Sequence, residues 1–189
     1  MTVGNRREHH EHPDSASGAG GRWFKSSRPD QFPSWQVGVV GASDCPPAVA
    51  ELAQSVGRAV ASAGAVLVCG GLGGVMQAAA RGAREAGGLT VGILPGPSHG
   101  DANPFVDVAV VTDLGHARNA IVVRSSHVVI ALPGEYGTLS EVALALKMGI
   151  PVVGLGAWTH LEGVIPAEAP DAAVARALER AEQVHAKPR

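Results

Sequence analysis

A buried strand that runs through a glycine loop straight into a helix constrains this chain more than any other feature. Residues 128–132 read Val-Val-Ile-Ala-Leu, and Pro133-Gly134-Glu135-Tyr136-Gly137-Thr138-Leu139-Ser140-Glu141 follows at once. N–H groups in a helix's first turn lack intrahelical partners and carry the positive end of the helix dipole. A loop stripped of side chains there becomes a cradle for an anion. Gly134 and Gly137 supply the approach, with Glu135 and Tyr136 between them, and Thr138 can cap the helix or bond the anion. Glu141 either faces whatever the loop holds or, in the Thr-x-x-Glu spacing of a capping box, reaches back to the Thr138 N–H.

A second junction of the same kind lies upstream. Residues 65–68 read Ala-Val-Leu-Val, then come Cys69-Gly70-Gly71-Leu72-Gly73-Gly74-Val75-Met76 and a helix-like stretch over 77–86. Two such turns in one small chain suggest two walls of one cleft, because ligands of open parallel sheets sit beyond the carboxyl ends of the strands. A dinucleotide fingerprint fits poorly: Met76 stands where its third glycine belongs, and no acidic strand-end residue follows at ribose distance. The candidate ligand contacts are Ser43, Gly70, Gly71, Gly73, Gly74 and Met76 on one side, and Gly134, Glu135, Tyr136, Gly137 and Thr138 on the other.

Around these loops the chain alternates strands and helices. A strand over 36–41 meets the turn Ala42-Ser43-Asp44, and Pro46-Pro47 start a helix with Val49, Leu52, Val56 and Val60 on one face. Strands follow at 65–68, 89–94, 106–111 and 127–132, with a last one at 151–155; helices are expected over 74–85, 114–125, 137–148 and 171–185. Val174, Ala177, Leu178 and Ala181 form the apolar stripe of the terminal helix. Short loops and strands without polar alternation imply an α/β fold: a doubly wound, mainly parallel, Rossmann-like sheet with helices on both faces.

Within that frame Arg118 falls in the first turn of the 114–125 helix, the unfavourable end for a cation, which calls for a partner anion or carboxylate. His116 is a further titratable candidate or a solvent-facing side chain. Residues 98–104 form a lid or an ordinary surface loop, and Cys69 and His127 pack near strand ends. The 114–125 and 137–148 helices carry apolar residues on more than one face, among them Ile121, Val122, Val123, Val142, Leu144 and Leu146, which predicts a homodimer or a higher closed oligomer.

At 189 residues the chain is the size of one domain, expected over 34–189. Residues 1–33 are polar, without periodicity, and cannot offset their ordering entropy, so they are expected to form a disordered tail. Its His9, His10 and His12 are read as incidental, with no metal site, while Trp23 and Phe24 can anchor its end. The net charge of -2 gives no reason to expect nucleic-acid binding. Two cysteines, Cys45 and Cys69, exclude a disulfide framework and suit a reducing cytoplasm; no apolar run reaches membrane-spanning length and no signal-peptide core is evident.

The two loops together carry a resemblance. Gly70-Gly71-x-x-Gly74-Val75-Met76, then Arg118, then Pro133-Gly134-x-x-Gly137-Thr138-x-x-Glu141 resembles the Rossmann-like superfamily of the Lonely Guy cytokinin-activating phosphoribohydrolases, often labelled "lysine decarboxylase-like". Asn103-Pro104-Phe105, the run from Arg118 to Val123, and Gly137-Thr138-Leu139-Ser140-Glu141 look closer to the molybdenum-cofactor-carrier-like branch, which is related to DNA-processing proteins. The resemblance spans about residues 37–155.

The carrier branch implies a binder of a phosphorylated heterocycle, either a nucleotide or a molybdopterin-type cofactor. The hydrolase branch implies cleavage of the N-glycosidic bond of a nucleoside 5′-monophosphate with no catalytic cofactor or metal. There Arg118 and Glu141 match the catalytic arginine and glutamate, and a carboxylate suits an oxocarbenium-like centre or an activated water. The chain departs from the hydrolase pattern at Glu135, where that pattern has glycine, and at Asn119, where it has lysine. Glu135 either points outward or repels phosphate. A lysine decarboxylase is not expected: Lys147 ends a helix and Lys25 and Lys187 lie in terminal segments, so none is specified for pyridoxal phosphate.

Overall fold

The computed structural model describes residues 35–185; the tail expected over 1–33, with its histidines, Trp23 and Phe24, lies outside them, as does Lys187. In chain order the elements are β1 (Gln36–Val40), α1 (Pro47–Ser62), β2 (Val66–Cys69), α2 (Gly74–Glu85), β3 (Thr90–Leu94), β4 (Val108–Val111), α3 (Asn119–Arg124), β5 (Val128–Ala131), α4 (Tyr136–Lys147), β6 (Val152–Leu155), β7 (Val164–Ala167) and α5 (Pro170–His185). Two short 3-10 turns, His99–Asp101 and Gly115–Arg118, interrupt the β3–β4 and β4–α3 connections.

All pairings are parallel, in the order β4-β3-β2-β1-β5-β6-β7. A parallel sheet needs both faces covered, and alternate side chains of each central strand enter different cores. Val37 and Val39 of β1 and Ile130 of β5 pack with Val56, Val60, Val75 and Ala79 under α1, α2 and α5. Val40, Val129 and Ala131 face Val122, Val123, Val142 and Ala145 under α3 and α4. The strand order reverses at β1. The chain leaves β1 toward α1 and leaves the adjacent β5 toward α4, on opposite faces, so a crevice opens between the two carboxyl ends.

Three expectations are corrected. The strand at 151–155 is not the last, since β7 follows it; Pro166 disguised β7 in the sequence, and proline is tolerated because β7 is an edge strand. The helix expected over 114–125 is split into the 3-10 turn Gly115–Arg118 and the short α3, so Arg118 stands at the junction and not inside a first turn. The capping box is absent: Glu135 occupies the N-cap of α4, Thr138 lies inside the helix, and Glu141 makes no return bond.

Among the described residues no helix is long and apolar enough to cross a membrane.

Candidate functional site

The crevice holds a cavity of about 310 Å³, within the range of small-ligand pockets. Its floor and one wall come from Val39, Val40, Gly41, Ala42, Ser43 and Asp44 at the end of β1, with Gly70 and Met76 beyond β2. His116, Arg118 and Asn119 from the β4–α3 junction, and Glu135, Gly137, Thr138 and Glu141 from the start of α4, complete it.

Arg118 is the unusual member. It is 7% exposed, although arginine is rarely buried unless paired. Its Nη1 lies 3.6 Å from Glu141 Oε1, beyond hydrogen-bond length. Its Nε is buried without any hydrogen-bond partner among the described residues. Burial lowers the Arg118 pKa, opposed by the nearby Glu141, yet a guanidinium stays charged. Glu141 is 6% exposed, and burial outweighs the attraction of Arg118, so its carboxyl is pushed up to about 7. A loosely paired, underbonded guanidinium beside a carboxyl that titrates near neutrality is poised to receive an anion and to exchange a proton.

Local sequence explains the placement. A Cβ on residue 70 would collide with both Arg118 and Met76 Sδ, so only Gly70 lets the guanidinium lie against the β2 end. The two glycine junctions are not equivalent. At α2, the Val75 N–H donates to the Ala42 carbonyl at 3.0 Å, and Gly74, at φ +58°, sits where a side chain would strike the Ala42 and Ser43 backbone. That turn is closed by protein. At α4 the first turn is open, and a Cβ on Gly137 would meet nothing within 4 Å. The loops of β1 and β5 are joined by the Ala42 N–H donating to the Pro133 carbonyl at 3.1 Å.

Of the residues singled out from sequence, Ser43, Gly70, Met76, Arg118, Glu135, Gly137, Thr138 and Glu141 meet around the cavity. Gly71, Gly73, Gly74, Gly134 and Tyr136 stand outside its lining; Gly134 packs against Thr138, and Tyr136 is 88% exposed. His116 is exposed and lines the rim. No residue of 98–104 reaches the cavity; buried Asn103 instead ties that loop to the Gly71 and Leu72 carbonyls at 3.1 and 2.9 Å. Cys69 is a core residue whose thiol burial pushes up to about 11, and Lys147 is an exposed helix end. His127 accepts a hydrogen bond from the Gln36 N–H at 3.0 Å, far from the crevice at the opposite ends of the strands. Asp44 and Asn119 are the polar lining residues that sequence reasoning did not select. The departure from lysine at 119 was the available signal for the second.

Fold and site together define a Rossmann-like α/β chain with an arginine–glutamate pair in the crevice at its topological switch point. The chain belongs to the SLOG cluster4 family, which it matches over residues 34–185. It is 47% identical over 139 residues to an uncharacterised protein of Archaeoglobus fulgidus, covering 74% of this chain and 91% of that one. It is 37% identical over 150 residues to a Mycobacterium tuberculosis protein named cytokinin riboside 5′-monophosphate phosphoribohydrolase, covering 74% and 80%. Its fold is similar to the molybdenum cofactor binding protein of Rippkaea orientalis, with a TM-score of 0.74 and 37% identity over 82% of this chain and 99% of that one.

Proposed function

We propose that this protein binds or carries a small phosphorylated heterocycle, a nucleotide or a molybdopterin-type molecule, in the crevice between β1 and β5. The observation that carries the reading is the buried Arg118 guanidinium, whose Nε lacks a partner beside the open first turn of α4. A buried charge without hydrogen bonds is costly, and a phosphoryl group would satisfy both the guanidinium and the unpaired N–H groups of the helix start. The similarity to the Rippkaea orientalis protein supports a carrier. Glu135 sets the chain apart from the hydrolase pattern, because a carboxylate stands at the N-cap of α4, on the cavity lining, where that pattern has glycine.

A second reading is favoured by the Arg118–Glu141 pair and by the similarity to the Mycobacterium tuberculosis protein. In it the bond between C1′ and the base nitrogen of a nucleoside 5′-monophosphate breaks. A water oxygen bonds to C1′, its proton passes to Glu141, and the departing nitrogen takes up a proton.

The two readings part in one experiment, in which nucleoside monophosphates are incubated with wild type, Glu141→Gln and Glu135→Gly while binding and free base are both measured. A carrier binds without turnover, and Glu135→Gly binds phosphate more tightly. Base release by wild type that disappears in Glu141→Gln would establish the hydrolase instead.

A further inference from the structure

We propose that Asn119 selects the ligand by its sugar: its carboxamide oxygen accepts a hydrogen bond from a ribose hydroxyl next to the phosphate, so the site prefers ribonucleotides to their deoxy analogues. The inference rests on the phosphate-binding reading above. Its starting point is the orientation of one side chain, which neighbouring hydrogen bonds determine.

The Ser140 hydroxyl donates to the Gly137 carbonyl at 2.6 Å. Having one proton, it can only accept from Asn119, whose Nδ2 lies 3.0 Å away. The same Nδ2 points at the Gly137 carbonyl, a pure acceptor, at 3.5 Å. Both neighbours therefore require the amide N–H₂ on their side, and the flipped carboxamide would face an oxygen with an oxygen. Asn119 Oδ1 is left without a hydrogen-bond partner among the described residues.

Asn119 is 7% exposed and lines the cavity beside Arg118. Arg118 Nε is the fully buried side-chain atom without a partner among the described residues, so Oδ1 keeps some accessible surface, on a residue that lines the cavity. It is an oriented, neutral acceptor next to a cation.

The class of donor follows from position. Asn119 is fastened to the first turn of α4, where the phosphate would rest. The ligand atoms next to the phosphate then lie against Asn119, with Glu141 one helical turn further on. In a nucleotide those atoms are the sugar, whose hydroxyls are donors, whereas a molybdopterin-type ligand offers no sugar there. A lysine at this position, as in the hydrolase pattern, could only donate. Ser140 is exposed and outside the cavity lining, and it acts as a positioning residue by holding the carboxamide one way round.

The test is titration calorimetry of the full chain with adenosine 5′-monophosphate and its 2′-deoxy and 3′-deoxy analogues. Wild type, Asn119→Ala and Ser140→Ala are compared after circular dichroism confirms their folding. In wild type, one deoxy analogue should bind about tenfold more weakly than the ribonucleotide, the effect of one well-placed hydrogen bond. In Asn119→Ala the ratio should fall to near one. In Ser140→Ala, which removes no lining group, it should fall to an intermediate value. An unchanged ratio in both variants, or equal binding of all three ligands by wild type, overturns the inference and leaves phosphate binding intact. Binding of a molybdopterin-type ligand without any nucleotide overturns the inference alone, and absence of binding by either class removes both.

Discussion

At pH 8 the Glu141→Gln protein should be more stable than wild type, although the substitution removes one half of a buried ion pair. The Glu141 carboxyl is pushed up to about 7 from the ordinary 4.5, with burial as the larger cause and the attraction of Arg118 already working against it. As pH rises through 4.5 the unfolded chain releases this proton while the folded chain retains it. The stability associated with Glu141 is therefore full below pH 4.5 and declines until the folded carboxyl ionises near 7. At about 1.4 kcal/mol for each tenfold change in ionisation, the loss amounts to roughly 3 kcal/mol. Glutamine has nearly the same shape and never ionises, so it should match wild type near pH 4.5 and exceed it by roughly 3 kcal/mol at pH 8. Urea denaturation of both proteins at half-unit steps from pH 4.5 to 8.5 reads this directly. A variant less stable than wild type at pH 8 would show that the pair is net stabilising and would refute the reasoning.

Three further outcomes follow from packing. Gly57→Ala and Gly82→Ala each drive a methyl group into a backbone carbonyl across the α1–α2 contact, of Ala79 and Gln54 respectively; each should cost about 3 kcal/mol in a urea melt, whereas Gly87→Ala, at φ +77° with open space around it, should cost about 1 kcal/mol. Gly137→Ala should keep the stability of wild type, since nothing lies within 4 Å of the new methyl, yet lose the thermal shift that a nucleotide confers; Gly74→Ala should lose stability itself. The half-buried Ile121 of α3 and Leu144 and Leu146 of α4, with Leu114 ahead of the 3-10 turn 51% exposed, should be covered in a homo-oligomer, and a monomer by light scattering at micromolar concentration would refute that.

The parallel sheet and most element positions were legible because apolar runs and glycine junctions alternate along the chain. The helix Gly74–Glu85 could be read to within a few residues, as 77–86 or as 74–85. The helix expected over 114–125 could not be bounded, because Gly115, at φ +52°, redirects the chain into a 3-10 turn and that geometry leaves no periodic trace. At the site, Arg118, Glu141 and the α4 loop were legible from residue type and spacing. The inequality of the two glycine loops was not. It depends on Val75 N–H meeting the Ala42 carbonyl, a contact between segments over thirty residues apart. Thr138 and Glu141 fit a capping box equally well in sequence, and only the N-cap at Glu135 decides against it.

The most direct test is native mass spectrometry of untreated wild type and Arg118→Met, followed by denaturation and identification of what is released. If the buried Arg118 guanidinium anchors the ligand, wild type should release a phosphorylated heterocycle, or bind one on titration, and Arg118→Met should do neither while remaining folded. The same compound held equally well by Arg118→Met, or no phosphorylated heterocycle bound by wild type under any condition, would contradict the account.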